Sequence, residues 1–172
     1  MALTPLALVT TDWQSWTAAH PHTTVLSLAT GVARNYAPGE AYRAYFASPT
    51  IAFPAALGDR RHAAKDKVFG LRLPGGVKAY PLALFAGGAV INDQVGLQNV
   101  VLIGDAAREE VRAYARDAQA FAAAGPGTVQ AAGVIWQISE TDLRGPDGRS
   151  LARLPGHIAY WFAWAGYFPD QL

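Results

Sequence analysis

The feature that most limits how this chain can fold is an ungapped internal match. Leu3, Leu6, Trp13, Trp16 and Pro21 reappear as Leu151, Leu154, Trp161, Trp164 and Pro169, each pair 148 positions apart, as in 161 − 13. The chain has only five tryptophans, so two Trp-x-x-Trp pairs in one register read as an internal repeat. On this reading residues 1–24 are the tail of a preceding repeat unit, and residues 151–172 are the same tail closing a whole second unit. No linker with a shift in composition divides the chain, so residues 1–172 are expected to form a single domain.

Composition bounds the partners. With 51% hydrophobic and 16% charged residues, the 172-residue chain can bury a substantial core, and disorder is excluded. A formal net charge of +1 gives no electrostatic footprint for nucleic acid or for anionic lipid. There is no cysteine, hence no disulfide framework, thiolate nucleophile or Cys-ligated metal. Residues 1–8 lack the basic start of a signal peptide. The longest apolar run, residues 80–91, contains Pro81, Gly87 and Gly88 and is too short to cross a bilayer core of about 30 Å. A soluble chain without a membrane span is expected, and its compartment stays open.

In chain order, Thr11 or Asp12 caps a short helix through Trp13 and Trp16 to about Ala19, ended by Pro21. Residues 23–28, rich in Thr, Val and Leu, read as a strand. Pro38-Gly39 marks a turn, and residues 41–47 are one helical turn or an extended piece. Residues 48–67 form a long, mostly irregular connection. Residues 68–73 and 77–82 form a hairpin about Pro74-Gly75-Gly76. Asn92-Asp93 suggests a turn, and residues 99–103 are an apolar strand closed by Gly104-Asp105. Residues 109–121 fit helical spacing and period two alike, and alanine content favours helix. After the break at Gly125-Pro126-Gly127, residues 128–139 read as one or two strands. Residues 142–149 read as a loop, and residues 160–166 as a short aromatic helix. The expected fold is mainly β, an antiparallel sheet or partly closed barrel with several short helices, with α+β as the alternative.

A set of residues along this path resembles a family: Arg34-Asn35-Tyr36, Tyr42, Tyr45, Phe53-Pro54, Asp59-Arg60-Arg61 to Lys65, Val68-Phe69-Gly70, Ala79-Tyr80-Pro81, Asn92-Asp93, residues 148–154, and Tyr160-Trp161-Phe162-Ala163-Trp164. Together they resemble the C-terminal portion of a prokaryotic domain-of-unknown-function family, number three-one-seven-nine in words. The resemblance covers nearly the whole chain, and the Trp-Phe-Ala-Trp motif is its most specific part. It implies no activity, cofactor or catalytic residue. It does imply longer members with an additional N-terminal half, many of them exported, and an extended conformation near residues 111–121.

The search for chemistry returns few motifs. There is neither a phosphate-binding Gly-rich loop nor a nucleophile elbow. His20-Pro21-His22 presents two imidazoles where a metal needs three or four ligands, so neither metal nor cofactor is expected. Arg60, Arg61, Lys65 and Lys67 form a basic cluster suited to a carboxylate or phosphate, and equally a solvated loop. Tyr36, Tyr42, Tyr45, Tyr160, Trp161 and Trp164 suit a sugar ring or a packed core. Arg34, Tyr36, Tyr42, Arg61, Lys65, Asn92 and Asp93 are expected to line a site for a small polar or anionic ligand.

Two functional readings follow. One is a non-catalytic binding or assembly module for a small anionic or carbohydrate-like molecule, a partner protein or the missing first repeat unit. The other is an enzyme of hydrolase or carbohydrate-active type with Asp59, Asp93 or His157 as acid or base. No nucleophile, base and orienting residue stand together in the sequence, which favours the first.

Overall fold

Pro74 and Gly75 reverse the chain between β1 (Lys67–Leu73) and β2 (Gly76–Pro81), with Leu73 opposite Gly76. Gly75 adopts φ 79°, in the left-handed region open to glycine. The computed structural model describes residues 5–52, 55 and 59–169. Leu3, Phe53 and Pro54, which enter the repeat and the resemblance, lie outside the described residues.

β11 (Gly156–Tyr160) pairs with the other side of β1, giving a three-stranded sheet ordered β11-β1-β2. The remaining strands are β3 (Ala89–Val95), β4 (Gln98–Asp105), β5 (Glu110–Ala115), β6 (Ala122–Gly125), β7 (Thr128–Ala131), β8 (Val134–Ile138), β9 (Asp142–Arg144) and β10 (Ser150–Leu154). They form one antiparallel sheet ordered β3-β4-β5-β10-β9-β8-β7-β6, which curls until β6 meets β3 and becomes a nearly closed barrel. The protein is therefore mainly β, with three short α-helices among the described residues: α1 (Trp13–Ala19), α2 (Arg43–Ala47) and α3 (Trp161–Tyr167).

Period-two alternation divides the core. On β4, Val100 and Leu102 pack with Phe69, Leu71, Tyr80 and Phe85 between the two sheets. Val101, between them, joins Tyr114, Phe121, Trp136 and Leu143 inside the barrel. Both faces of β4 are buried, which is why its sequence is a continuous apolar run. Each fully buried large side chain contributes about 1.5–3 kcal/mol relative to exposure.

Asp12 caps α1 by accepting the Ser15 main-chain N–H at 2.6 Å. α1 and α3 have seven residues each, and their C-terminal caps, His20 (φ −131°, ψ 68°) and Phe168 (φ −126°, ψ 57°), bond back to the carbonyls of Trp16 and Trp164. Their surroundings differ. Trp161 and Trp164 are buried, whereas Trp13 is 55% exposed. Two strands precede α3, but residues 5–11 are irregular.

Three local expectations change, and one open alternative is decided. Residues 23–28 are not a strand: Val25, Leu26 and Leu28 are exposed, and β propensity without a pairing strand forms no ladder. Asn92-Asp93 lies within β3, the true reversal coming at Gly96 (φ 58°) and Leu97. Residues 110–115 form β5, the extended conformation the resemblance implies, because β4 and β10 pair with it on both sides and override the alanine propensity. Asp142–Arg144 is a strand where a loop was expected, since the polar Asp142 finds hydroxyl partners in Ser139 and Ser150. Residues 41–47 resolve as the helical turn α2, and residues 128–139 as two strands.

Candidate functional site

Alternation along β5 turns Glu110, Arg112 and Tyr114 towards the barrel interior, while Val111 and Ala113 face the other sheet. Tyr114, deepest of the three, donates to the Ser139 carbonyl at 2.6 Å. Burial pushes its phenol up to about 12. Cross-strand pairing sets Arg153 of β10 beside Tyr114, so the interior of the barrel turns from apolar to charged towards its mouth.

At that mouth Arg112 is held between two carboxylates. It pairs with Glu110 through Nη1, and with Glu140 through Nη2 at 2.5 Å and Nε at 3.2 Å. Arg153 Nη1 reaches the Glu140 carboxylate at 2.5 Å and the Glu140 main-chain carbonyl at 2.9 Å. Burial disfavours the charge on Glu140, but bonds from Arg112 and Arg153 outweigh it and hold its carboxyl below the ordinary value. Arg153 is only 5% exposed, so its pairing with Glu140 is what makes its burial tolerable.

The N-terminal segment closes over this network. Thr11 Oγ1 donates to Glu110 at 2.8 Å, and Arg153 Nη2 donates to the Leu8 carbonyl at 2.9 Å. Between α1 and the charged residues lies a cleft of about 380 Å³, which shares Ala19, Arg108, Glu110, Arg112 and Glu140 as lining with a barrel-mouth cavity of about 520 Å³. Trp16 and His20 wall the cleft with ring centroids 4.0 Å apart. Trp16 is anchored by donating to Thr23 Oγ1 at 2.9 Å. His20 Nε2 is buried without a hydrogen-bond partner among the described residues.

The residues expected from sequence fall in separate places. Arg34 and Tyr36 lie on the exposed irregular segment, Tyr36 bonding to Thr30 at 2.8 Å. Tyr42 stands exposed at the start of α2 with φ 61°. Arg61 pairs with Asp59 and lies 5.5 Å over the Trp161 ring. Lys65 donates to the Ser48 carbonyl at 2.6 Å and lies 3.5 Å from the Tyr45 ring centroid. Asn92 clamps Phe121, donating to its carbonyl at 2.7 Å and accepting its N–H at 2.8 Å. Asp93 faces the opposite way and accepts from Tyr80 at 2.8 Å and Lys78 at 2.6 Å. Arg61 and Lys65 share the region below α3 and α2, whereas Asn92 and Asp93 point to opposite faces of β3. Neither mouth cavity is lined by any of the seven.

Glu110, Arg112, Glu140 and Arg153 were missed because β5, the connection after β8 and β10 lie far apart in sequence and the four form no motif. The period-two pattern Glu110-x-Arg112-x-Tyr114 on a strand was the available signal. Among the described residues, no three His, Asp or Glu side chains come together as a metal ion requires. No described helix is long and apolar enough to cross a membrane.

A nearly closed antiparallel barrel with a charged mouth, backed by a small sheet, defines the class: a mainly β domain of barrel type. The chain belongs to the family described as Protein of unknown function (DUF3179), whose model matches residues 1–171. No curated protein and no solved structure matches the chain.

Proposed function

We propose that the chain is a non-catalytic binding module that takes a small polyhydroxylated ligand in the cleft between α1 and the barrel mouth. The observation that carries this reading is the set of fixed donors and acceptors of Arg112, Glu110 and Glu140, facing open volume beside the Trp16–His20 pair. A sugar needs hydrogen-bond partners of both kinds around its hydroxyls and an aromatic face for its C–H surface. Arg108, Arg112 and Arg153 are matched by Glu110, Glu140 and Asp105, so the mouth carries no large excess charge. This balance favours a neutral or singly charged sugar over a phosphate.

The competing reading is a carbohydrate-active enzyme. Such chemistry needs one carboxyl kept protonated near neutral pH, and Glu140 is shifted the other way. Asp59 is tied to Arg61, Asp93 is tied to Lys78 and Tyr80, and His157 lines a different cavity.

A partner-protein role is favoured by a separate observation: Val25, Leu26, Leu28, Val32, Tyr42 and Phe46 are all exposed on the segment before β1. Apolar side chains left exposed along one stretch of chain are candidates for burial by a partner. Arg34, Tyr36 and Tyr42 would then serve that partner, and light scattering of the purified chain alone and with candidate proteins tests it.

For the ligand, nitrogen-15 NMR titration with hexoses and hexuronates should shift the Trp16 indole N–H and the Arg112 signals together in a saturable way. Shifts confined to other residues would refute the placement.

A further inference from the structure

α3 presents its cavity on the same face as α1. The cleft under α1 is lined by Ser15, Trp16, Ala19 and His20, and a second cavity of about 480 Å³ is lined by Ala163, Trp164, Tyr167 and Phe168, each 148 positions later. The aromatic stack repeats as well, with Trp164 and Phe168 centroids 4.7 Å apart against 4.0 Å for Trp16 and His20. The chemistry does not repeat. The barrel side of the α1 cleft is charged, whereas Leu6, Leu8, Gly70 and Gly156 contribute to the walls of the α3 cavity.

We propose that the α3 cavity is a second ligand site, for a small planar aromatic carboxylate. Two observations converge on that class. Trp164, Tyr167 and Phe168 supply flat apolar walls, and the volume lies within the range of small-molecule pockets, about 300–1,000 Å³. Trp164 is 3% exposed, and its Nε1 has no hydrogen-bond partner among the described residues. That N–H is sealed from the cavity as it is from solvent, so Trp164 serves as an apolar wall and as a reporter of occupancy. Arg72 lines the same cavity, its guanidinium 5.9 Å over the Phe168 ring, so a cation stands beside an aromatic slot. A carboxylate on an arene supplies what each lacks: a counter-charge for Arg72 and a ring for the aromatic walls. His157, edge-on to Trp164 at 5.7 Å, adds a further polar group to the wall.

The test is nitrogen-15 NMR titration of the full chain with 1-naphthoate and with the neutral 1-naphthylmethanol, following the Trp164 indole N–H. Assignment uses Trp164→Phe, and Arg72→Gln serves as the affinity variant because Arg72 is exposed and its replacement leaves the core intact. We expect saturable movement of the Trp164 signal by 1-naphthoate, weaker binding of the alcohol, and a loss of about tenfold in naphthoate affinity in Arg72→Gln, as removal of one charge-assisted contact implies. An unmoved Trp164 signal at the solubility limit of naphthoate overturns the proposal. So does equal affinity for acid and alcohol, or an Arg72→Gln variant that binds naphthoate as the parent does. The sugar cleft is untouched by these variants, so the two sites fail or stand separately.

Discussion

The six-membered ring of Trp164 occupies the space that a side chain at position 70 would fill. A Cβ added to Gly70 would lie 2.1 Å from Cζ3 of that ring. α3 can rest against β1 only because residue 70 is glycine. Gly70→Ala should therefore lower stability by about 3 kcal/mol through overpacking, read from urea unfolding. Gly166, on the same helix, has nothing within 4 Å of its added Cβ. Gly166→Ala should raise stability by about 0.5–1 kcal/mol.

Asn92 satisfies both main-chain groups of Phe121, a residue at the centre of the barrel core. Asn92→Ala should cost about 2–3 kcal/mol by leaving a buried donor and acceptor unmet, and Asn92→Asp should also destabilise, since it keeps the acceptor and loses the donor. Ligand affinity at the barrel mouth should not change in whatever fraction remains folded, as fluorescence titration below the unfolding midpoint would report.

Removing Arg112 leaves Glu110 and Glu140 facing each other's charge in a partly dry site. Arg112→Met should cost about 3 kcal/mol, and adding Glu110→Gln should recover part of it. A double-mutant cycle by denaturant unfolding measures the coupling.

Asp142 is held down to about 2 by hydroxyl donors from Ser139 and Ser150, with Arg144 adding to them. Its folded value lies below its unfolded one, so its stabilisation is present above about pH 4 and lost as pH falls towards 2. Tyr114 has the opposite shift, raised to about 12 by burial. Its contribution is present below about pH 10 and lost as pH rises towards 12. Thermal melts across pH should decline at both ends, and Asp142→Asn should flatten the acid limb alone.

Much of this fold was legible where a local signal was sufficient. The β1–β2 turn rests on Pro74-Gly75, α1 on the Asp12 cap, and β4 on an apolar run buried on both faces. The same local logic failed where pairing decided. Alanines in β5 were held extended by strands on either side, and the hydrophobics at residues 25–28 found no strand to join. Asn92 and Asp93 looked like a turn because their side chains are turn-formers, yet each met a specific partner across the sheet. The candidate site was least legible. Glu110 and Arg112 come from β5, Arg153 from β10 and Glu140 from the connection after β8, and only barrel closure brings them together.

The central claim is that the cleft between α1 and the barrel mouth binds a small polyhydroxylated ligand. Ala19 lines both that cleft and the barrel-mouth cavity and is exposed on the last turn of α1, so Ala19→Trp should fill the cleft without disturbing the core. Calorimetric titration of the parent chain, Ala19→Trp and Arg72→Gln with a panel of hexoses and hexuronates tests the claim most directly. The account predicts saturable heat for at least one sugar in the parent and in Arg72→Gln, and affinity weakened at least about tenfold in Ala19→Trp, a loss of about 1.4 kcal/mol. Absence of saturable heat across the panel, or an Ala19→Trp variant that binds as the parent does, would contradict it.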